Sequence, residues 1–180
     1  MQTNIKTQKM VLTALMMGLI MVSILFIRIP IPFTQGYVHP GDAMIFLAVL
    51  VVGYRYGAVA GAFGAMLGDI IGGFAMWAPW TLVIKGAMAF IMGVIINMAS
   101  KNKELTRTKK TVIEVIGMVV AGAFMTVGYY VAEGIMYGNW VTAALGIPWN
   151  IGQALAGVII SVIIAQALRK SSAAKFFTYK

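Results

Sequence analysis

Long apolar runs separated by short polar stretches divide the chain into six segments. Their approximate limits are 10–27, 40–53, 56–74, 80–99, 111–136 and 148–168. Most approach the roughly 20 residues that cross a bilayer as a helix. The second run is short, as re-entrant segments often are. The pattern predicts an all-α integral membrane protein with one domain, 1–180.

The first run resembles a secretory signal peptide because Lys6 and Lys9 precede it. However, Arg28 and a proline-rich stretch follow it directly, without a small-residue cleavage site. We therefore expect a retained transmembrane helix.

Basic residues concentrate in the N-terminal tail, in the 101–110 segment and after residue 168. The positive-inside rule places all three in the cytoplasm. An even number of helices must then lie between the first two segments, so the short second run also crosses. The prediction is six transmembrane helices with cytoplasmic N and C termini. The net charge of +9 then reflects the cytoplasmic location of these basic segments, and no nucleic-acid partner is expected.

The composition and the motifs of the chain exclude several classes of functional site. Hydrophobic residues make up 61% of the chain, and cysteine is absent, which removes disulfides and thiolate metal sites. One histidine is weak support for a metal site. No H-E-x-x-H, G-x-S-x-G or ATP-binding motif is present. We expect no enzyme, no cofactor and no metal, so uphill transport would draw its energy from a partner or an ion gradient.

The outer half collects ionisable groups of both signs, and all four tryptophans. Ionisable residues inside a membrane mark functional sites by default. The stretch GDIIGGFAMWAPWTLVIKG, 68–86, places Asp69 and Lys85 at similar depth on neighbouring helices. Two interpretations stay open: a structural ion pair, or the polar floor of a ligand pocket open to the outside.

Other outer-side residues carry similar alternatives. Asn150 and Gln153 share a helix face, and with Glu133 they form either interhelical hydrogen bonds or part of the pocket. Trp77 and Trp80 belong to an interfacial aromatic belt or stack on a flat ligand.

The segment 28–42 between the first two helices is rich in proline and contains His39, the only histidine. A segment of this kind could form a lid over an outward-facing pocket. Asp42, at its end, is expected to support the N-terminus of the second helix.

The string ALMMGL, 14–19, resembles the first-helix motif of S components of energy-coupling-factor (ECF) vitamin transporters. That motif has two small residues four apart, usually alanines; here they are Ala14 and Gly18, and the glycine keeps the small size. The runs 39–73 and 77–86 resemble the subgroup that includes carriers for riboflavin, pyridoxine and hydroxymethylpyrimidine. The resemblance covers nearly the whole chain.

The resemblance implies a mechanism. An S component captures its vitamin outside the cell and docks on a transmembrane T component, here through Ala14 and Gly18. Two cytoplasmic ABC ATPases bind ATP and drive toppling of the S component, which releases the vitamin inside. The expected location is the plasma membrane of a prokaryote, as a multi-pass protein in the lipid bilayer.

The outer polar cluster is then expected to bind the vitamin, a small molecule that is cargo and not cofactor. Its predicted members are His39, Asp69, Trp77, Trp80, Lys85, Glu133, Tyr137, Asn150 and Gln153. Mixed charge suits a neutral or zwitterionic ring, so pyridoxine or hydroxymethylpyrimidine is expected, with riboflavin as the alternative. A stand-alone ion-coupled carrier is a second mechanism, but no convincing internal repeat supports it. A purely structural membrane protein would not explain the outer charges.

Overall fold

Residues 5–32, 34–101 and 105–179 are described by a computed structural model, and they are mostly helical. The helices are α1 (Ile5–Phe26), α2 (Gly41–Val52), α3 (Tyr54–Ile71), α4 (Ala78–Ser100), α5 (Arg107–Tyr137), α6 (Trp140–Ala144) and α7 (Ile147–Arg169). A hairpin of β1 (Ile29–Pro30) and β2 (Tyr37–Val38) follows α1, and a 3-10 helix, Ser172–Phe176, follows α7. Each of the six apolar runs corresponds to a helix; α6, the hairpin and the 3-10 helix were not predicted.

Among the described residues, four helical stretches are long and apolar enough to cross a membrane. They are Lys6–Phe26, Ala78–Ser100, Arg107–Tyr137 and Trp140–Arg169. The shorter apolar helix Gly41–Val52 has 12 residues, or about 18 Å at 1.5 Å per residue.

The α2–α3 connection is a single residue, Gly53, whose φ of 85° favours glycine. The two helices then pack antiparallel at very close range. A Cβ on Gly57 would lie 2.8 Å from the Cα of Val49, and one on Gly61 would lie 3.0 Å from the side chain of Ile45. Small residues on α3 therefore serve close helix packing.

Helix α2 lies at the centre of the bundle, and nearly all of its residues are buried. The tail after α7 covers its C-terminal end. The Thr178 amide donates to the Leu50 carbonyl at 3.0 Å, and the Thr178 hydroxyl donates to the Val51 carbonyl at 2.7 Å. The tail thus satisfies carbonyls that the end of a helix leaves free.

The first turns of α1 and the tail after α7 lie at the same end of the bundle. The Lys9 Nζ atom is 5.9 Å from the centre of the Tyr56 ring, and the Tyr54 amide donates to the Tyr179 hydroxyl at 3.1 Å. The hairpin and the first residues of α4 and α7 lie at the opposite end, where the polar cavity is found.

Candidate functional site

A polar cavity lies beneath the hairpin, between the last turn of α3, the first turns of α4 and α7, and the last turns of α5. It encloses about 360 Å³, including the part open to solvent. The lining residues come from five elements and are mostly polar or aromatic: Ile31, Gly36, Tyr37, His39, Asp69, Trp77, Thr81, Tyr129, Glu133, Asn150 and Gln153.

The hairpin forms the roof of this cavity, in the position expected of a lid. The Tyr37 hydroxyl donates to Asp69 Oδ1 at 2.5 Å, and the Gln35 amide donates to the Tyr137 hydroxyl at 3.1 Å. Burial raises the pKa of the Tyr37 hydroxyl, so it stays protonated and remains a donor. These bonds connect the hairpin to α3 and α5 and close the cavity from above.

Three buried polar atoms of the lining have no hydrogen-bond partner in the described structure: Asp69 Oδ2, Trp77 Nε1 and Glu133 Oε2. The Thr81 hydroxyl, 3.1 Å from the Tyr129 hydroxyl, can accept from Tyr129 and donate to Asp69, so Asp69 is the partly satisfied member of the three. Buried polar groups are rarely left unpaired. Glu133 Oε2 and Trp77 Nε1, together with the remaining lone pairs of Asp69, are therefore available to a polar ligand.

Aromatic rings form one wall. The centres of the Trp77 and Tyr129 rings are 6.1 Å apart, with planes inclined by 57°. Only 4% of Trp77 is exposed. Buried indole and phenol rings offer apolar faces that suit a flat heteroaromatic ligand.

A fully buried ion pair lies behind the cavity. Lys85 Nζ is 2.5 Å from Asp42 Oδ1, and Gln153 Nε2 donates to Asp42 Oδ2 at 2.8 Å. The His39 amide donates to Gln153 Oε1 at 2.8 Å. The ion pair thereby positions Gln153 and, through it, the end of the hairpin segment.

This geometry corrects one expectation. Lys85 pairs with Asp42 and not with Asp69, because the central helix α2 brings its first turn against α4. Asp42 is the acidic residue of that first turn, as expected from the helix dipole, and its carboxylate is also bonded to Lys85 and Gln153.

His39 is held neutral. Its Nδ1 accepts a hydrogen bond from the Gly41 amide at 3.0 Å, which requires an unprotonated nitrogen. Burial, assisted by the charge of Lys85, lowers the pKa of His39 to about 3.

The structure brings six of the nine predicted residues to the cavity wall: His39, Asp69, Trp77, Glu133, Asn150 and Gln153. Trp80, Lys85 and Tyr137 are outside the lining, although Tyr137 supports the hairpin. Sequence reasoning missed Tyr37, Thr81 and Tyr129. Helical spacing was a usable signal for two of them, since Thr81 follows Trp77 by four residues and Tyr129 precedes Glu133 by four.

Ala14 and Gly18 lie on an open face of α1. Ala14 is exposed, and a Cβ added to Gly18 would meet nothing within 4 Å. Neighbouring Val11 and Leu15 are 63% and 55% exposed. Packing within the chain therefore does not account for these small residues.

A family model described as "ECF-type riboflavin transporter, S component" matches residues 4–170. An "Uncharacterized protein in gap 3'region" from Pyrococcus woesei is 37% identical over 150 residues, which cover 83% of this chain and 93% of that protein. The "Thiamine precursor transporter HmpT" of Lactococcus lactis subsp. cremoris (strain MG1363) is 27% identical over 169 residues, which cover 93% and 92%.

Two solved structures share the fold. One is the S component of a bacterial ECF transporter, with a TM-score of 0.67 and 19% identity, covering 92% of this chain and 97% of that one. The other is the S component for biotin from an ECF-type ABC transporter, with a TM-score of 0.69 and 18% identity, covering 98% and 99%.

Proposed function

The chain belongs to the ECF-type riboflavin transporter S component family, and from this premise we propose that it captures a single-ring heteroaromatic vitamin precursor, best represented by hydroxymethylpyrimidine. Members of this family serve vitamin uptake as transporter subunits and are not enzymes. The unpaired carboxylate oxygens of the cavity carry the proposal, because they define which ligand atoms the site can accept.

The charge of the lining favours a neutral or weakly basic ligand. Asp69 and Glu133 are 3% and 2% exposed, and no lysine or arginine lines the cavity among the described residues. Lys85 is paired with Asp42 at 2.5 Å, and Arg28, whose charge also acts on Asp69, is outside the lining. An anionic ligand would lie beside two acidic side chains with no cation among the described lining residues, which is costly in a buried site.

The hydrogen-bonding pattern fits an aminopyrimidine. The exocyclic amine supplies donors for the free oxygens of Asp69 and Glu133. A ring nitrogen is an acceptor for Trp77 Nε1, and the ring itself is flat enough to pack against Trp77 and Tyr129. Pyridoxine can pair with the same atoms through its hydroxyls and its ring nitrogen, so it is the second candidate.

The cavity is nearly closed beneath the hairpin, and its volume of about 360 Å³ includes the part open to solvent. Any vitamin therefore needs the hairpin to move outward, and riboflavin, with a tricyclic ring and a ribityl chain, needs the larger movement. The relative named as a thiamine precursor transporter points to the same ligand class.

Ligand titration tests this proposal. Trp77 is the only tryptophan in the lining, so binding should change intrinsic fluorescence in the wild-type protein, and Trp77→Phe should remove most of that change. Trp140→Phe is the matched control, because Trp140 lies outside the lining and should leave the signal intact. Saturable binding of riboflavin but not of hydroxymethylpyrimidine or pyridoxine would refute the proposed specificity.

For orientation, we propose six membrane crossings with both termini in the cytoplasm of a prokaryote and the cavity facing outward. Support comes from the start of α1 and the tail after α7, which share one end of the bundle, and from the basic residues near them in the sequence. The cavity lies at the other end, where an external vitamin would enter.

For coupling, we propose that the open face around Ala14 and Gly18 docks on a T component, and that two ABC ATPases bind and hydrolyse the ATP. The S component itself then needs no cofactor. Cells that lack their own vitamin transporters should take up labelled hydroxymethylpyrimidine only when the T component and the ATPases are expressed together with this chain. Uptake by this chain alone would instead indicate a stand-alone carrier.

A further inference from the structure

A second cavity, here called the basic groove, lies at the end of the bundle that carries the start of α1 and the tail after α7. Its volume is about 1,030 Å³, including the part open to solvent. The lining combines the start of α5, the end of α7 and the tail: Arg107, Lys110, Glu114, Arg169, Ala174, Lys175, Phe177 and Tyr179.

The groove is strongly positive. The two terminal nitrogens of the Arg169 guanidinium donate to the Glu114 carboxylate at 2.9 and 2.6 Å. This ion pair neutralises the charge of Arg169. Arg107, Lys110 and Lys175 are also in the lining, and Glu114 is the one acidic residue among the described residues that line the groove. Such a groove selects anions.

The floor of the groove is apolar and aromatic. Phe177 and Tyr179 are 4% and 9% exposed, and the Arg169 guanidinium lies 4.8 Å from the centre of the Phe177 ring. In a ligand that carries a phosphate next to hydrocarbon, the phosphate would contact the cations and the hydrocarbon would contact the apolar floor.

The length of α5 places these cations at membrane headgroup level. Its 31 residues span about 46 Å at 1.5 Å per residue, whereas the hydrocarbon core is about 30 Å thick. The opposite end of α5 carries the vitamin cavity, so the turns that contain Arg107 and Lys110 extend towards the aqueous interface.

We propose that the basic groove binds the phosphate headgroup of an anionic phospholipid in the cytoplasmic leaflet, with the glycerol and upper acyl chains against Phe177 and Tyr179. Basic pockets between helices on that side bind such headgroups in other membrane proteins. The leaflet rests on the orientation proposed above. The tail residues of the lining, Ala174, Lys175, Phe177 and Tyr179, lie beyond the region 4–170 that the family model matches. Because Thr178 caps α2, a bound lipid also stabilises the α2–α3 junction.

Native mass spectrometry of the detergent-purified protein tests the proposal with phosphatidylglycerol and phosphatidylcholine as probes. One phosphatidylglycerol should bind in preference to phosphatidylcholine. The variant Arg107→Gln/Lys175→Gln should bind it about 30-fold more weakly, since each interfacial cation contributes roughly 1 kcal/mol and about 1.4 kcal/mol is tenfold. The control Lys109→Gln/Lys170→Gln removes equal charge from residues outside the lining and should bind nearly as the wild type does.

Equal weakening in both double variants, or equal binding of the two lipids, would overturn the proposal. Displacement of phosphatidylglycerol by millimolar inorganic phosphate would overturn the lipid assignment and indicate a site for a soluble phosphate. Vitamin affinity, measured in parallel by tryptophan fluorescence, should be unchanged in every variant. A failure of vitamin binding therefore remains distinguishable from a failure of lipid binding.

Discussion

The buried ion pair between Lys85 and Asp42 gives the sharpest prediction for stability. At 2.5 Å, the Coulomb attraction is about 7 kcal/mol for an effective dielectric constant near 20, and desolvation offsets much of it. Replacing Lys85 with methionine keeps the volume but leaves Asp42 charged, buried and bonded only to Gln153. Breaking a buried pair in this way costs about 3–5 kcal/mol, and we expect that loss in the free energy of unfolding.

A second substitution, at Asp42, should restore most of the stability that Lys85→Met removes. Asp42→Asn in the Lys85→Met background removes the stranded charge and keeps an oxygen for Gln153, so most of the lost stability should return. Unfolding in mixed micelles with increasing denaturing detergent measures all three proteins. Lys109→Met, at an exposed position, is the control and should change stability by less than about 0.5 kcal/mol. A loss below about 1 kcal/mol in Lys85→Met, or no recovery in the double variant, would refute the reasoning.

Three further predictions concern binding, pH and coupling. Glu133→Gln should weaken vitamin binding by about 10- to 100-fold in calorimetry, because a hydrogen bond to a charged group contributes roughly 1.5–3 kcal/mol; unchanged affinity would remove Glu133 from the site. The pKa of His39 falls from 6.5 to about 3 on folding, so its contribution to stability is complete above pH 6.5 and is lost as the pH falls below that value. Thermal unfolding should show this loss in the wild type and less of it in His39→Asn, and identical profiles would contradict it. Gly18→Leu should abolish coupled uptake and leave the dissociation constant unchanged; normal uptake would exclude this face of α1 from docking.

The helices were predictable because the sequence carries their signals directly. Apolar length identified the six runs, and their limits agree with the structure to within two residues except at the starts of α1 and α5 and at the end of α3. Helix α5 begins at Arg107, four residues before the predicted run, because the Thr106 side chain accepts from the Lys109 amide at 3.4 Å. The short helix α6 was not predicted, because the sequence marks it only by the N-cap residue Asn139. The Asn139 side chain accepts hydrogen bonds from the Val141 and Thr142 amides.

The site was predictable in its residue types but not in its pairings. Ionisable residues such as Asp69 and Glu133 are costly to bury in a membrane, so they are easily recognised within an apolar sequence. Which groups meet depends on helix rotation and on which helix is central, and no local pattern shows that α2 is enclosed. Lys85 was therefore assigned to the ligand when its partner is Asp42. Tyr37 lies in β2, a strand of two residues that is too short to show a periodicity, so its bond to Asp69 had no sequence signal.

Calorimetric titration of the isolated subunit with hydroxymethylpyrimidine and with its 4-oxo analogue tests the central claim most directly. The two ligands differ at the group that should donate to Asp69 and Glu133. The account predicts binding of one amine ligand per protein at submicromolar strength, and at least ~100-fold weaker binding of the oxo analogue, whose carbonyl would face carboxylate oxygens. Equal affinity for both, or no binding of the amine, would contradict it.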